Sequence, residues 1–377
     1  MDSMANQIES LQLQLGFDIA HVSYLITSVQ EFCLKHNVKL NYVKEANDNR
    51  GCVKLKDNRL YETLQIPKKI AFINLKLKSG KSICLVFDFD DSYSFFSLKG
   101  LYKSDYYFKR TYVQNNINLI QIEFNTKICP LGISFMVKPD SIKYYRKLKS
   151  CFYWNRLRSA LKLDRNLFGR FQIGIENAKE DWNSFISTRT LSDFENFETP
   201  KHFKSVFYQK RFFPNEKTIE TRTVHSQRAE LVRLLKKEFP NQFKGGIKDD
   251  ENLPLKYKDC ASSIKGSQKE FLEITKESGI CIYTRGLSNS VGWTLSEFLS
   301  QGKAIIAERQ DVVFPKALKH NVHLLYFDST EELKSQVQYL IDNPSEVKRL
   351  SKNARQYYEE NISPKIYFET LLKQIHV

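Results

Sequence analysis

The chain has 377 residues, too many for one ordinary core, and its length predicts two domains of about 150–200 residues each. Apolar residues make up 41% and aromatics 13%, which excludes wholesale disorder, and no apolar run approaches the roughly 20 residues that span a bilayer. The net charge of +15 calls for an anionic partner, whether nucleic acid, an acidic membrane surface or a phosphorylated ligand.

Residues 1–16 are polar and amphipathic, unlike a signal peptide. Ile8, Leu11 and Leu15 fall at helical spacing, so a helix is expected within 1–20. Val22, Leu25, Ile26, Val29, Phe32 and Cys33 define one face of a second helix over 21–37, and 38–43 reads as the strand after it. The runs 70–77 and 82–87 are strand-like, with Lys78-Ser79-Gly80-Lys81 between them as a hairpin signal. Then comes an acidic knot, Asp88-Phe89-Asp90-Asp91, which is either a turn at a strand end or a functional group of carboxylates. Another strand end is expected at 105–110, and a turn at 129–132.

Residues 141–170 are dense in Lys and Arg, with Asp164 as the only acid, interleaved with Tyr144, Tyr145, Phe152, Tyr153 and Trp154. A basic helix carrying aromatics suits an anionic membrane surface; the alternative is a solvated basic face whose aromatics pack on the domain. The polar stretch 193–200, ending in proline, reads as a linker between domains. Cys33, Cys52, Cys84, Cys129, Cys151, Cys260 and Cys281 are scattered, with no CxxC pair, the pattern of buried free thiols in a reducing compartment.

Beyond residue 200 strands and helices alternate. Strands are expected at 205–209, 243–246 and 323–327, and helices at 226–239 and 267–275. Ser329-Thr330-Glu331-Glu332 is a capping box, and Pro344 and Pro364 each stand at a first helical position. The centre is 280–308: an apolar strand at 280–283, a turn-rich loop, a helix at 294–300, Gly302 at its C-terminal end and a second strand at 304–307. Strand, loop, helix, strand is the unit of a parallel sheet, so 201–362 is expected to be a doubly wound α/β domain.

P-loop, GxGxxG, HExxH and GxSxG motifs are absent, and the histidines lack metal-ligand spacing, so no metal site is expected. A loop of small residues entering a helix presents amides and the positive helix end, suited to a diphosphate. Arg285, Gly286, Leu287, Ser288, Asn289, Ser290, Gly292, Trp293 and Thr294 are therefore candidate donor-binding residues. Glu297 is either a solvent-facing helix glutamate or a carboxylate for ribose hydroxyls. Lys210 and Arg211 alternate at a strand end, so one of them should face the ligand crevice.

The segment Gly-Leu-Ser-Asn-Ser-Val-Gly-Trp-Thr-Leu-Ser-Glu-Phe-Leu-Ser-Gln-Gly-Lys-Ala-Ile-Ile at 286–306, the Asn343-Pro344 helix pair and Tyr357-Tyr358-Glu359-Glu360 resemble the donor half of GT-B glycosyltransferases, especially bacterial group 1 enzymes of surface-polysaccharide synthesis. The resemblance covers about the last 170 residues; over the first 200 it rests on Phe87-Asp88-Phe89-Asp90-Asp91 and Tyr107-Phe108-Lys109-Arg110. It implies an α/β fold of two Rossmann-like domains facing each other across a cleft. Residues 1–200 would be the acceptor side, 201–362 would bind the donor, and 363–377 would form a helix packed back on the first domain.

The reaction it implies is metal-independent sugar transfer from a nucleotide sugar, as substrate and not cofactor, to a glycan or lipid-linked acceptor. A cytoplasmic location is expected, peripheral on the inner face of the plasma membrane if the basic segment 141–170 meets an anionic membrane surface. Glu297 matches the family's ribose-holding second glutamate, whereas the first falls on Asn289, which leaves retention or inversion of stereochemistry open. Arg211 and Lys210 would neutralise the leaving diphosphate, and Asp88, Asp90 and Asp91 are candidates for a general base. Two other readings compete. One is a basic nucleic-acid-binding protein, against which no RRM-like or helix-turn-helix signature appears. The other binds a nucleotide sugar or glycan without turnover, which the change at Asn289 keeps open.

Overall fold

The structure is a computed structural model that describes residues 4–44, 51–141, 143–161, 167–195, 197, 199–213, 218–248, 253–264 and 266–376. It divides into two compact units, Met1–Asp193 with Val312–Lys316 and Asn361–Val377, and Phe194–Asp311 with Ala317–Glu360.

The first unit carries β1 (Ile8–Leu15), β2 (Lys39–Tyr42), β3 (Cys52–Lys56), β4 (Arg59–Thr63), β5 (Ile70–Leu77), β6 (Ser82–Asp88), β7 (Phe95–Ser97), β8 (Tyr106–Lys109) and β9 (Lys127–Pro130). Its main sheet has the order β2-β1-β5-β6-β8-β9, and β4-β3-β7 form a smaller one. β1 and β2 are parallel, as are β6, β8 and β9, while β5 runs against both its neighbours. The β5–β6 connection is the hairpin that Lys78–Lys81 predicts, closed by the Gly80 N–H on the Leu77 carbonyl with Gly80 at φ +86°.

The helix expected within 1–20 is corrected: one helical turn, Met4–Gln7, leads into β1. From Leu11 onward apolar residues alternate with Gln12 and Gln14, and Leu11, Leu13 and Leu15 are buried between two neighbouring strands. That period of two prevails over the three- and four-residue spacings, because a strand inside a sheet satisfies both its backbone edges. The turn expected at 129–132 begins one strand end later, since Cys129 and Pro130 finish β9 and Gly132 carries the positive φ of +86°.

Helix Ser23–Lys35 buries the predicted face, including Leu25, Ile26, Val29, Phe32 and Cys33. Helix Pro364–Leu372 packs against it within the same unit, with Phe32–Phe368 and Tyr24–Tyr367 edge to face at 5.1 and 5.0 Å. The basic segment contributes helix Tyr145–Leu161, followed by Leu167–Ile186; residues 142 and 162–166 lie outside the described residues. Tyr144, Leu148 and Phe152 are buried, and the rings of Tyr145 and Phe152 lie 5.1 and 6.0 Å from that of Trp182. Tyr144, Tyr145 and Phe152 pack on their own unit, whereas Trp154 of the same helix is exposed, with the Arg158 guanidinium 5.1 Å from its ring centroid. Among the described residues no helix is long and apolar enough to cross a membrane.

The second unit holds β10 (His202–Arg211), β11 (Phe243–Lys248), β12 (Ala261–Ser262), β13 (Ser278–Tyr283), β14 (Ala304–Glu308) and β15 (Leu325–Phe327). Their order is β12-β11-β10-β13-β14-β15, and every pairing is parallel. This is the doubly wound arrangement expected from the alternation, and the order reverses between β10 and β13. Val206, Ile280, Ile282 and Ile306 form the sheet side of its core, with Leu235, Leu340 and Leu350 from the helices. The Ser329 hydroxyl accepts from the Glu332 N–H at 3.2 Å, so the predicted cap is formed. All seven cysteines are free and all but Cys84 are buried.

Candidate active site

In open parallel sheets ligands bind beyond the carboxyl ends of the strands at the point where the order reverses. Here those ends are Lys210 and Arg211 on β10 and the continuation of β13 into Thr284 and Arg285. Lys210 is half-buried; its ammonium donates to the Thr284 carbonyl at 2.9 Å and stands 4.7 Å from the centroid of the Tyr283 ring. Burial, and then the charge of Arg228, push Lys210 down to about 7, against the opposing pull of Glu308 and Glu297. Arg211 is exposed, with its guanidinium over the Phe213 ring at 4.9 Å. The alternation is thus resolved: Lys210 turns onto the neighbouring strand end and Arg211 turns to solvent.

Arg228 is a residue that sequence reasoning missed. It lies on helix Ile219–Glu238, is 3% exposed, and donates to the carbonyls of Arg211 at 2.8 Å and Arg285 at 3.3 Å. One guanidinium therefore ties together the two strand ends that flank the reversal. Glu308, at the end of β14, was missed as well. Its carboxylate accepts from the Arg285 N–H at 2.8 Å and from Gln227 at 2.9 Å, and pairs with the Arg285 guanidinium at 3.5 Å.

The loop after Arg285 differs from a cradle of open amides. The Gly286 N–H donates to the Ser290 carbonyl at 2.9 Å, the Ser290 N–H to Leu287 at 3.1 Å and the Gly292 N–H to the Tyr283 hydroxyl at 2.7 Å. The Ser288 N–H donates to the Glu220 carboxylate. Ser288 and Asn289 sit in the left-handed region at φ +56° and +50°, and the Gln310 amide holds the Asn289 and Ser290 carbonyls at 3.1 and 3.2 Å. A Cβ at Gly286 would lie 2.6 Å from the Ser290 hydroxyl oxygen, so that hydroxyl would have to rotate away. With four amides engaged inside the protein, attraction for an anion rests on Lys210, Arg211 and Arg285 and on the first turn of helix Trp293–Ser300, where Trp293 and Thr294 lie.

Glu297 lies one turn into that helix and is only 7% exposed, so the solvent-facing alternative is excluded. Its charge acts on Lys210, which brings these two sequence candidates into one electrostatic neighbourhood.

The acidic knot belongs to the first unit, and its three carboxylates differ. Asp88 is 3% exposed and accepts from the Tyr107 hydroxyl at 2.6 Å, Lys109 at 2.8 Å and the Asp90 N–H at 2.8 Å. Burial raises its pKa, against the pull of Lys109. Asp91 pairs with Lys69 and Arg110, each at 2.7 Å; burial opposes ionisation, yet Arg110 and Lys69 outweigh it and hold the carboxyl at about 2. Asp90 accepts the Ser92 N–H at 2.8 Å and has no ion pair among the described residues. Among those residues no group of three His, Cys, Asp or Glu side chains is placed to hold a metal ion.

No protein-family model and no curated protein matches the chain. Among solved structures it is similar to the C-terminal domain of a glycosyl transferase group 1 family protein from Francisella tularensis, at 11% identity over 45% of this chain and 90% of that one, with a TM-score of 0.31. It is also similar to a glycosyltransferase from Rickettsia africae, at 17% identity over 72% and 76% of the two chains, with a TM-score of 0.33. A third is Anabaena HepE in complex with UDP-glucose, at 12% identity over 72% and 78%, with a TM-score of 0.33.

Proposed function

We propose that the chain is a glycosyltransferase that moves a sugar from a nucleotide-sugar donor, bound by 201–362, to a glycan or lipid-linked acceptor in surface-polysaccharide synthesis. The observation that carries the reading is one strand-end edge holding Lys210, Arg211 and Arg285 beside the buried carboxylate of Glu297. The resemblance of 286–306, which contains Glu297, to the donor half of group 1 enzymes also supports it.

In this reading the diphosphate lies against the three cations and Glu297 accepts hydrogen bonds from the ribose hydroxyls. As the bond from the sugar's anomeric carbon to the diphosphate breaks and that to the acceptor oxygen forms, negative charge grows on the leaving diphosphate. Cations already in place stabilise it without reorganisation, an effect worth several kcal/mol in a dry site. The acceptor proton goes to a base in an inverting reaction. Asp90 is our candidate, because Asp88 and Asp91 are already paired with cations.

A thermal-shift screen of nucleotides and nucleotide sugars tests the donor. A ligand at about 100 times its dissociation constant adds about 2.7 kcal/mol of stability. Glu297→Ala and Arg211→Ala should remain folded and lose turnover. A screen without a single stabilising nucleotide, or full activity in both variants, removes the assignment.

A further inference from the structure

The first unit has a second recessed site, at the sheet edge opposite its acidic knot. β6, β8 and β9 are parallel, with Tyr106 level with Leu85 and Lys127, so the N-terminal ends of these strands lie on the side away from Asp88 and Lys109, and Ser82 extends three residues beyond that level. Along β6 Ser82 is about 20 Å from Asp88, and Tyr106 and Lys127 lie about 10 Å from the level of Asp88. The cavity there is about 500 Å³, within the range of small-ligand pockets.

Its charged lining is balanced, Lys81 and Lys127 against Asp105 and Glu123, on a protein with a net charge of +15. A phosphate or nucleotide gains little net attraction from such a ring. Aromatic surface is present as well. Tyr102 is 68% exposed, yet its ring is steadied edge to face by Phe124 at 5.2 Å. Tyr106 is fixed by two hydrogen bonds between its hydroxyl and the backbone of His376, at 2.8 and 3.0 Å, and the Lys127 ammonium stands over its ring at 5.6 Å, so Tyr102 presents the exposed ring. Asp105 is pinned by accepting the Cys84 N–H at 2.7 Å, and Asn125 in the same lining supplies both a donor and an acceptor. A steadied, exposed aromatic ring in a lining that also offers a held carboxylate and an amide complements a pyranose, which has an apolar C–H face and a rim of hydroxyls that both donate and accept.

We propose that this cavity binds a neutral saccharide, at a site separate from the donor edge and independent of the transfer chemistry. The test places the full chain on an array of neutral and anionic glycans and measures the best neutral oligosaccharide by calorimetry. Tyr102→Ala should weaken it about tenfold, the loss of one aromatic anchor, and Asn125→Ala should weaken it too. Both residues are exposed, so an unchanged melting temperature in each variant isolates the effect to the site. Glu297→Ala should leave this affinity intact, so failure of the donor reading and failure of this one are distinguishable. No retained neutral glycan, preference for anionic glycans, equal affinity in Tyr102→Ala, or loss of affinity in Glu297→Ala would each overturn the proposal.

Discussion

Replacing Lys210 by methionine removes one charge from the strand-end edge while keeping most of the aliphatic stem, and two independent readouts follow. With its pKa at about 7, the side chain goes from about nine-tenths protonated at pH 6 to about one-tenth at pH 8. If the donor diphosphate needs the ammonium, its dissociation constant should rise about tenfold over that interval, or about 1.4 kcal/mol. UDP-glucose is the suitable first probe, because its diphosphate is esterified at both ends and keeps its charge across this range. Calorimetry at pH 6, 7 and 8 should show the weakening and a proton taken up on binding at pH 8; in Lys210→Met both should vanish. Stability supplies the second readout. The folded pKa lies below that of an unfolded lysine, so the unfolded chain binds more protons above pH 7, and stability rises with pH through that window. Between pH 6 and 8 the wild type should gain about 1.4 kcal/mol relative to Lys210→Met. A flat affinity in the wild type, with that stability difference present, would refute the donor role and leave the titration standing. The same pH slope in both proteins would refute the titration itself.

Arg228→Met leaves the Arg211 and Arg285 carbonyls without their donor, which should cost about 1–3 kcal/mol in urea unfolding. It should also weaken donor binding although Arg228 itself need not touch the ligand; unchanged stability would show that the bridge holds nothing. Lys109→Met strands the buried Asp88 carboxylate with its Tyr107 and Asp90 contacts only, a loss of about 3–5 kcal/mol. Because burial already raises the pKa of Asp88, that variant should become less stable as pH rises above the ordinary carboxyl value of about 4. A cost below about 1 kcal/mol would mean that the pair is dispensable.

The second unit was legible because its elements satisfy several local rules at once. Strands β13 and β14 are short apolar runs, Gly302 at φ +52° ends the helix between them, and Ser329 and Pro344 open theirs. The start of the chain was misread for the opposite reason. Ile8, Leu11 and Leu15 fit a helix, whereas Leu11, Leu13 and Leu15 fit a strand, and only the pairing with β2 and β5 decides between them. Nor does local sequence state that β5 opposes both its neighbours, since direction within a sheet depends on partners distant along the chain.

The site was legible only where side chains follow from position along a strand or helix. Lys210, Arg211 and Arg285 were placed by the strand ends, but the use of the loop amides was not, because Glu220 reaches Ser288 from 68 residues away. Arg228 left a readable trace. Thr221, Val224, His225, Arg228, Leu231, Val232 and Leu235 are all buried on one face of helix Ile219–Glu238, so an arginine occupies a position that the period assigns to the core. A charge on an apolar stripe is costly unless it has fixed partners, and here the partners are the two carbonyls at the strand-order reversal. The buried Arg228 also bears on Lys210, because its charge is the second cause, after burial, of that lysine's lowered pKa. Arg228, held behind the strand ends, fixes the carbonyls of Arg211 and Arg285, while burial, and then the charge of Arg228, hold Lys210 at about 7, where a bound anion favours its protonated form.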